Sequence, residues 1–241
     1  MVNRLEEYIS KFSFDEILKI EESDRQFLAL KNSRNQIKKI KWNEKINQNL
    51  FLFLILQNSI ISYQIAGSGE NRREEFAGKI SYDFEKILKL FSRWESNVDR
   101  WYNFLTTSKY NKRLYNLKKN RLTKFDKFFF ENEYEKMWNY YDNMELLLEK
   151  MVNIMWMKNA DKTMTFAIKM FGYGARIVFD KFIKYPMDIK IPVDSRITKI
   201  WEKFDIEGKD IQDYLQWLSE KYSIPPLHLD SLLWIKLWKE I

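Results

Sequence analysis

The chain of 241 residues contains no cysteine and a single histidine, His228. The missing thiols exclude disulfides, zinc–thiolate sites, iron–sulfur clusters and cysteine nucleophiles. One imidazole argues against a histidine-based catalytic triad and against a metal site with several histidine ligands. Any proton transfer or nucleophilic attack must therefore use Lys, Asp, Glu, Tyr, Ser or Thr.

Glycine and proline are scarce, at 6 and 4 residues. Few turn-forming residues leave few hairpins, so the sequence predicts an all-α protein with long helices. The longest apolar run, residues 50–56, is too short to cross a bilayer. The N-terminal MVNRLEEYIS is charged and lacks the apolar core of a signal peptide. We therefore expect an intracellular protein, in the cytoplasm or nucleoid, that does not contact membranes.

Positive charge is in excess, with a formal net charge of +7 and a pI near 9.2. Residues 109–127 hold eight Lys or Arg and one acid, interleaved with aromatic residues. Cations mixed with aromatic side chains suit a DNA backbone, although a solvated helix face would have the same composition. Within this segment Lys118, Lys119 and Arg121 are candidate backbone contacts.

Hydrophobic periodicity places helices along most of the chain. A helix that is apolar nearly all round, and therefore buried, should start near Trp42 and end at Gly67. GSGENRREEF, residues 67–76, reads as a loop, and residues 184–193 as an extended segment fixed by two prolines. Further helices are predicted over residues 82–91, 96–105, 162–182, 195–204, 211–221 and 225–238.

The helix predicted at 162–182 has two unlike faces. Apolar residues from Met164 to Val178 form a core stripe, and Lys162, Phe166, Lys169 and Tyr173 fall on the opposite face, away from the core. That face is either a solvated surface with an isolated Phe, or a pocket wall. In a pocket wall, Phe166 would stack on a planar ligand and Lys162 would react with it.

A tight joint, KNAD at residues 158–161, precedes this helix. Helix, short joint and helix together form the pattern of a helix-hairpin-helix, whose turn presents backbone N–H groups to a DNA phosphate. Lys158 and Asn159 in the joint are therefore further candidate backbone contacts.

Two carboxylates near the C-terminus have open interpretations. Asp194 follows Ile-Pro-Val and precedes an amphipathic helix, so it is a helix cap, a catalytic acid, or both. Asp230 and Trp234 are four residues apart and share a helix face. They form either an ordinary surface pair or a purine-binding pair. In a purine-binding pair the carboxylate would accept hydrogen bonds from ring N–H groups, and the indole would stack on the base.

A Lys just after the turn of a helix-hairpin-helix, followed by Pro-Val-Asp opening a helix, resembles the helix-hairpin-helix DNA glycosylase superfamily. DKTMTFAIKM, IPVDSRI and IPPLHLDSLLW, in that order, resemble the archaeal 8-oxoguanine DNA glycosylase (AGOG-type) family specifically. EESDRQF and ISYQIAGSGE are also similar to that family, so the resemblance touches most of the chain and is weakest in the middle third.

The resemblance implies an enzyme that excises 8-oxoguanine from DNA by Lys Schiff-base chemistry and cleaves the strand by β-elimination. Lys162 matches the nucleophile and Asp194 the catalytic acid. Phe166 and Trp234 match the two rings that sandwich the flipped base. Contacts to the base edge match Gln26, Ser62, Pro192 and Asp230, and a supporting cation matches Lys169. This chemistry needs no metal or organic cofactor, and we expect a monomer acting on damaged single- or double-stranded DNA.

The sequence departs from the family pattern at two places. The hairpin MWMKNADKT lacks the glycines common in the superfamily's turn, and Arg72 or Arg73 stands where relatives carry an aromatic base contact. Two other functions stay open: a glycosylase for a different damaged base, and a non-enzymatic helix-hairpin-helix DNA-binding module.

The superfamily's architecture implies one unit over residues 1–241, with two helical subdomains flanking an active-site cleft. The expected subdomains are residues 25–130, and residues 1–24 plus 131–241.

Overall fold

The computed structural model describes residues 4–91, 98–111, 113–157, 162–204, 206 and 210–240. These residues form helices and no strand, which confirms the all-α prediction. The α-helices are α1 (Arg4–Ile9), α2 (Phe14–Glu22), α3 (Arg25–Ile37), α4 (Glu44–Ile60), α5 (Gly69–Phe91), α6 (Val98–Thr107), α7 (Tyr115–Asn132), α8 (Met137–Asp142), α9 (Met144–Ile154), α10 (Lys162–Phe179), α11 (Ser195–Lys203), α12 (Ile211–Tyr222), α13 (Pro226–Ser231) and α14 (Trp238–Glu240). A 3₁₀ turn (Tyr134–Lys136) precedes α8, and a π-helical turn (Leu232–Leu237) joins α13 to α14.

The chain divides into two compact units. The middle unit comprises residues 25–183, and the terminal unit comprises residues 1–24 and 184–241. The segment from 131 to 183, which the superfamily's architecture groups with the chain ends, lies in the middle unit because α10 packs against α3 and α4.

The middle unit is built around α4 and α10. Every residue of α4 from Asn49 to Ile60 is buried, as its all-round apolar sequence predicts. Helix α10 packs against α4, α3 and α9, while α5 covers α3, and α7 contacts α4 and α6. The centre of this unit is therefore a helix pair with neighbours on several sides.

Gly174 lets α10 approach α4 closely. A Cβ atom built on Gly174 would lie 2.4 Å from Ile55 Cδ1 and 3.1 Å from Leu52 Cδ2. Both distances are shorter than an ordinary contact between carbon atoms. The absent side chain at position 174 is thus part of the core packing.

The terminal unit packs α1, α2 and α11–α14 around one apolar cluster that runs from Leu5 to Leu237. A buried polar network ties its chain segments together. The Tyr185 N–H donates to His228 Nε2 (3.3 Å), so Nδ1 carries the proton and donates to Glu21 Oε1 (2.8 Å). Ser231 Oγ donates to the same carboxylate oxygen (2.9 Å). Because buried hydrogen bonds use both ring nitrogens of His228, this residue has a structural role.

The prediction of a loop at residues 67–76 is wrong. Helix α4 ends at Ile60 instead of Gly67, and α5 begins at Gly69, inside the predicted loop. Ser68 starts α5, since its Oγ accepts a hydrogen bond from Asn71 N (3.2 Å), as a helix N-cap does. The two glycines indicated a loop, but the capping serine between them and the helix-forming Glu and Arg residues prevail.

The remaining helix predictions agree with the structure to within a few residues at the ends that lie in the described ranges, except that the helix predicted from Tyr82 begins at Gly69. Residues 82–91 form the second half of α5, and α10 ends at Phe179, three residues before its predicted end. The predicted start at residue 96 lies outside the described residues. No helix in the described ranges is both long and apolar enough to cross a bilayer.

We expect Gly174→Ala to destabilise the protein by about 1–2 kcal/mol, because overpacking costs about 1–3 kcal/mol and helix propensity returns at most about 1. Gly78→Ala in α5 is the matched control, since nothing lies within 4 Å of a Cβ atom there. It should stabilise by about 0.5–1 kcal/mol. Urea unfolding of both variants measures the difference. Ile55→Val removes the clashing Cδ1 and should restore part of the stability that Gly174→Ala loses. Equal stabilisation by Gly174→Ala and Gly78→Ala would contradict the packing argument.

Candidate functional site

Lys162 is the first residue of α10 and is exposed. Phe166 follows one turn later and is half-buried, and Lys169 lies a further turn along the same face. The helix therefore presents an amine at its N-terminus and an aromatic ring beside it. The joint at 158–161, with the candidates Lys158 and Asn159, lies outside the described residues, although α9 and α10 flank it.

The expectation that this face points away from the core is wrong for its second half. Lys169 and Tyr173 are both buried, and Tyr173 is fully so. The Tyr173 ring meets Phe27 of α3 edge-on, with 5.4 Å between centroids. Helix periodicity identifies one apolar stripe, but α3 covers a second side of α10, so the face changes from accessible to buried along its length.

Arg73 lies against Phe166. Its guanidinium carbon is 5.4 Å from the Phe166 centroid and 5.6 Å from the Phe76 centroid, within cation–π distance of both rings. The residue is fully buried. Arg73, one of the two arginines at the place where the sequence departs from the family pattern, therefore contacts the ring that the resemblance assigns to base stacking.

Gln26 and Ser62 also belong to the middle unit. Gln26 is buried near the start of α3. Ser62, just after α4, donates from Oγ to Asn58 O (2.8 Å) and accepts a hydrogen bond from Arg72 Nη1. With its proton directed at Asn58 and one lone pair used by Arg72, Ser62 keeps one lone pair to accept a donor from a ligand.

Asp194 caps α11 in the terminal unit. Its Oδ1 accepts the backbone N–H groups of Arg196 (2.9 Å) and Ile197 (3.0 Å), which confirms the helix-cap interpretation. Its Oδ2 accepts a third hydrogen bond, from Trp234 Nε1 (3.2 Å). The carboxylate is thus fixed in direction, and one side chain joins the start of α11 to the π-helical turn.

Trp234 lies in the π-helical turn and is half-buried. The Arg196 guanidinium carbon is 3.7 Å from the indole centroid, so it covers one face of the ring. Asp230 is buried in α13, and Pro192 is half-buried in the irregular segment that precedes Asp194. Sequence reasoning missed Arg196, because no local pattern connects it to a tryptophan 38 residues away.

The three candidate backbone contacts of the basic segment are less exposed than a DNA-facing surface requires. Lys118 is fully buried: its Nζ donates to Asn111 Oδ1 and lies 5.1 Å from the Tyr63 centroid. In this conformation its ammonium does not reach a DNA backbone. Arg121 is half-buried, 4.3 Å from the same ring, whereas Lys119 is partly exposed and lies 3.7 Å from Asp99.

Buried cations accumulate in this part of the middle unit. Burial, followed by the charge of Arg72, lowers the pKa of Lys118 to about 8. Burial, followed by the charge of Arg73, lowers the pKa of Arg72 well below its ordinary value. Within the described ranges, no carboxylate forms an ion pair with Arg72 or Lys118. Keeping these charges buried therefore reduces the free energy of unfolding.

Lys118→Met should remove a pH-dependent penalty. Because the pKa of Lys118 falls to about 8 on folding, the unfolded state binds more protons between about pH 8 and pH 10.5. The wild type should therefore gain stability across that window, on the order of 1–3 kcal/mol, and the variant should lack this gain. Urea unfolding at pH 7, 9 and 10.5 gives the difference, with Lys119→Met as the partly exposed control. Parallel pH profiles for the wild type and Lys118→Met would refute the buried charge.

Comparisons with known proteins extend these observations. The family model AGOG, described as N-glycosylase/DNA lyase, matches residues 6–240. The N-glycosylase/DNA lyase of Methanococcus maripaludis is 36% identical over 238 residues, covering 97% of this chain and 86% of that protein. The protein of the same name from Thermococcus kodakarensis is 34% identical over 215 residues, covering 89% and 75%.

A solved structure has the same fold. It is the crystal structure of the 8-oxoguanine DNA glycosylase from Pyrobaculum aerophilum complexed with 8-oxoguanosine. The TM-score is 0.74 at 24% identity, and the match covers 96% of this chain and 85% of the other. Together with the family model, these matches confirm the resemblance read from the sequence: the chain belongs to the AGOG family of N-glycosylase/DNA lyases.

Proposed function

We propose that the protein excises 8-oxoguanine from DNA through a Schiff base on Lys162 and then cleaves the strand by β-elimination. The observation that carries the proposal is the exposed Lys162 at the first position of α10, one turn before Phe166, in a member of an N-glycosylase/DNA lyase family. A lysine amine is a suitable nucleophile for a sugar carbon that becomes an imine. The 8-oxoguanosine complex of the Pyrobaculum aerophilum protein supports the choice of lesion.

Reaching a base inside a duplex requires flipping its nucleotide out of the stack, at a cost of a few kcal/mol. Phe166 and Trp234 supply the stacking surfaces, and stacking on an aromatic ring contributes roughly 1–3 kcal/mol per base. Arg196 already covers one face of Trp234, so a purine can stack only on the other face. In our proposal Arg196 and Arg73 support the two rings from the protein side.

Stacking does not distinguish 8-oxoguanine from guanine, because both bases present the same aromatic face. The group that differs and can donate a hydrogen bond is the N7–H, so specificity requires an acceptor. The amide oxygen of Gln26 or a backbone carbonyl, such as that of Pro192, fills this role in our proposal. Asp230 accepts other ring N–H groups, Ser62 uses its remaining lone pair, and Lys169 supplies a supporting positive charge.

The chemistry then needs only side chains. The Lys162 amine attacks C1′, the bond from C1′ to the base breaks, and the base leaves with a proton. Asp194 stabilises the positive charge that develops on the sugar and takes a proton from the Lys162 nitrogen. Opening of the sugar ring gives a Schiff base, which acidifies the C2′ hydrogen. Loss of that proton expels the 3′ phosphate and cuts the strand.

Borohydride reduction should trap a covalent adduct between the wild-type protein and a duplex that carries one 8-oxoguanine. Lys162→Gln should give no adduct and no base release, because the imine nitrogen is gone. Lys31→Gln is the matched control, since Lys31 is also exposed, lies in the same unit and loses the same charge. Denaturing gels and chromatographic assay of the released base provide the readouts.

The outcomes separate the alternatives. An adduct that persists in Lys162→Gln would move the nucleophile to another lysine. Wild-type protein that binds the duplex without releasing base would refute the 8-oxoguanine proposal. A panel of other oxidised or alkylated bases would then test whether the protein is a glycosylase for a different damaged base. Binding with no release from any substrate would leave a DNA-binding module.

Asp194→Asn should separate capping from catalysis. Asparagine is as good a helix cap as aspartate, but its Nδ2 cannot accept the Trp234 Nε1–H as Oδ2 does, so the Tm should fall by no more than a few degrees. The lost carboxylate should lower the single-turnover excision rate by about 10²–10⁴-fold. Asp210→Asn is the control, because Asp210 caps α12 of the same unit through Asp213 N (3.1 Å). Equal excision rates for the two variants would limit Asp194 to a structural role.

A further inference from the structure

Trp156 is the most exposed large hydrophobic residue of the described chain, at 83%. Tryptophan is on average highly buried, because its large apolar surface is costly to leave in water. An indole that projects into solvent offers a large aromatic surface to a ligand.

The backbone at Trp156 adds a second cost. Its φ is +54°, in the left-handed region. The Trp156 N–H donates to Asn153 O (3.0 Å) and the Met157 N–H to Val152 O (3.0 Å), which is the Schellman pattern that ends α9. Glycine usually occupies this position because it has no Cβ atom. The sequence thus keeps an exposed indole where a glycine would fold better, and strain of this kind is typical of functional positions.

Lys124 of α7 completes the feature. Its Nζ lies 3.9 Å from the Trp156 ring centroid, above one face of the indole. Because the residue is 83% exposed, the opposite face is open to solvent. An open aromatic face with a cation behind it matches the way proteins hold single-stranded nucleic acid, by base stacking and phosphate contact.

We propose that Trp156 and Lys124 form a second DNA-binding site, which holds an unpaired base on the open indole face and the neighbouring phosphate on the ammonium. This inference rests on the proposed function only in taking DNA as the ligand. Lys162 follows six residues after Trp156, so the two α-carbons are at most about 22 Å apart. On a single-stranded substrate, the base held by Trp156 is therefore within a few nucleotides of the nucleotide that Lys162 attacks.

Binding of an undamaged single-stranded oligonucleotide, which undergoes no excision, tests the site directly. Trp156→Ala should raise the Kd about 5- to 150-fold, the equivalent of about 1–3 kcal/mol of stacking, and Trp156→Phe should keep most of the affinity. Lys124→Gln should reduce the magnitude of the slope of log K against log salt by about one, because one phosphate contact is lost. Tyr82→Ala is the control, because Tyr82 is 78% exposed with two lysines near its ring, but it lies within the regular helix α5.

Trp156→Gly distinguishes a binding role from a structural one. Relief of the left-handed strain should raise the Tm by about 2–4 °C while DNA binding weakens as in Trp156→Ala. A lower Tm would show that the indole supports the fold and would overturn the proposal. Wild-type affinity in Trp156→Ala, or an equal loss in Tyr82→Ala, would also overturn it.

Failure of this site and failure of the proposed function give different results. If the wild type releases 8-oxoguanine and the Trp156 variants bind DNA normally, only the second site is refuted. If the Trp156 variants lose DNA affinity and the wild type releases no base, the second site is supported and the glycosylase proposal for this lesion is refuted.

Discussion

The close contact between α4 and α10 is the constraint on which the middle unit depends. Gly174 brings the two helices together until Ile55 and Leu52 occupy the space of its missing side chain. A contact this tight fixes the position of α10 along its whole length, because a core packed at crystal density resists small displacements. Lys162 and Phe166 at the start of α10 therefore lie on a packed helix, which suits the roles proposed for them.

The middle unit also contains buried cations, which lower its stability. Arg72, Arg73 and Lys118 are buried near one another, and burial lowers the pKa of Arg72 and of Lys118. Buried charges reduce stability unless an opposite charge or hydrogen bonds compensate them. Arg72 positions Ser62, and Arg73 lies on Phe166, so two of the three cations contact residues of the candidate site. We interpret the cluster as a stability cost concentrated at a functional surface, a common compromise in natural proteins.

In the terminal unit, hydrogen bonds hold the candidate side chains in position. Asp194 accepts two backbone N–H groups and the Trp234 indole, so one carboxylate both starts α11 and orients an aromatic ring. The π-helical turn at Leu232–Leu237 changes the local spacing and carries Trp234 to the place where Arg196 stacks on it. π-helical turns occur often at functional sites, because one extra residue per turn redirects a side chain.

The sequence by itself determined the helical class, the absence of thiol chemistry, the buried character of α4, the cap at Asp194 and, through three short motifs, the family. These follow from composition, from periodicities of a few residues, and from strings that stay together along the chain. It misjudged residues 67–76, where a capping serine outweighs two glycines, and it could not show that Lys118, Lys169 and Tyr173 are buried. The contact of Arg196 with Trp234, the contact of Arg73 with Phe166 and the left-handed Trp156 beside Lys124 were decided by tertiary structure alone. Each joins residues that are distant in sequence, or depends on which side of a helix its neighbours cover, and a local pattern has no access to either.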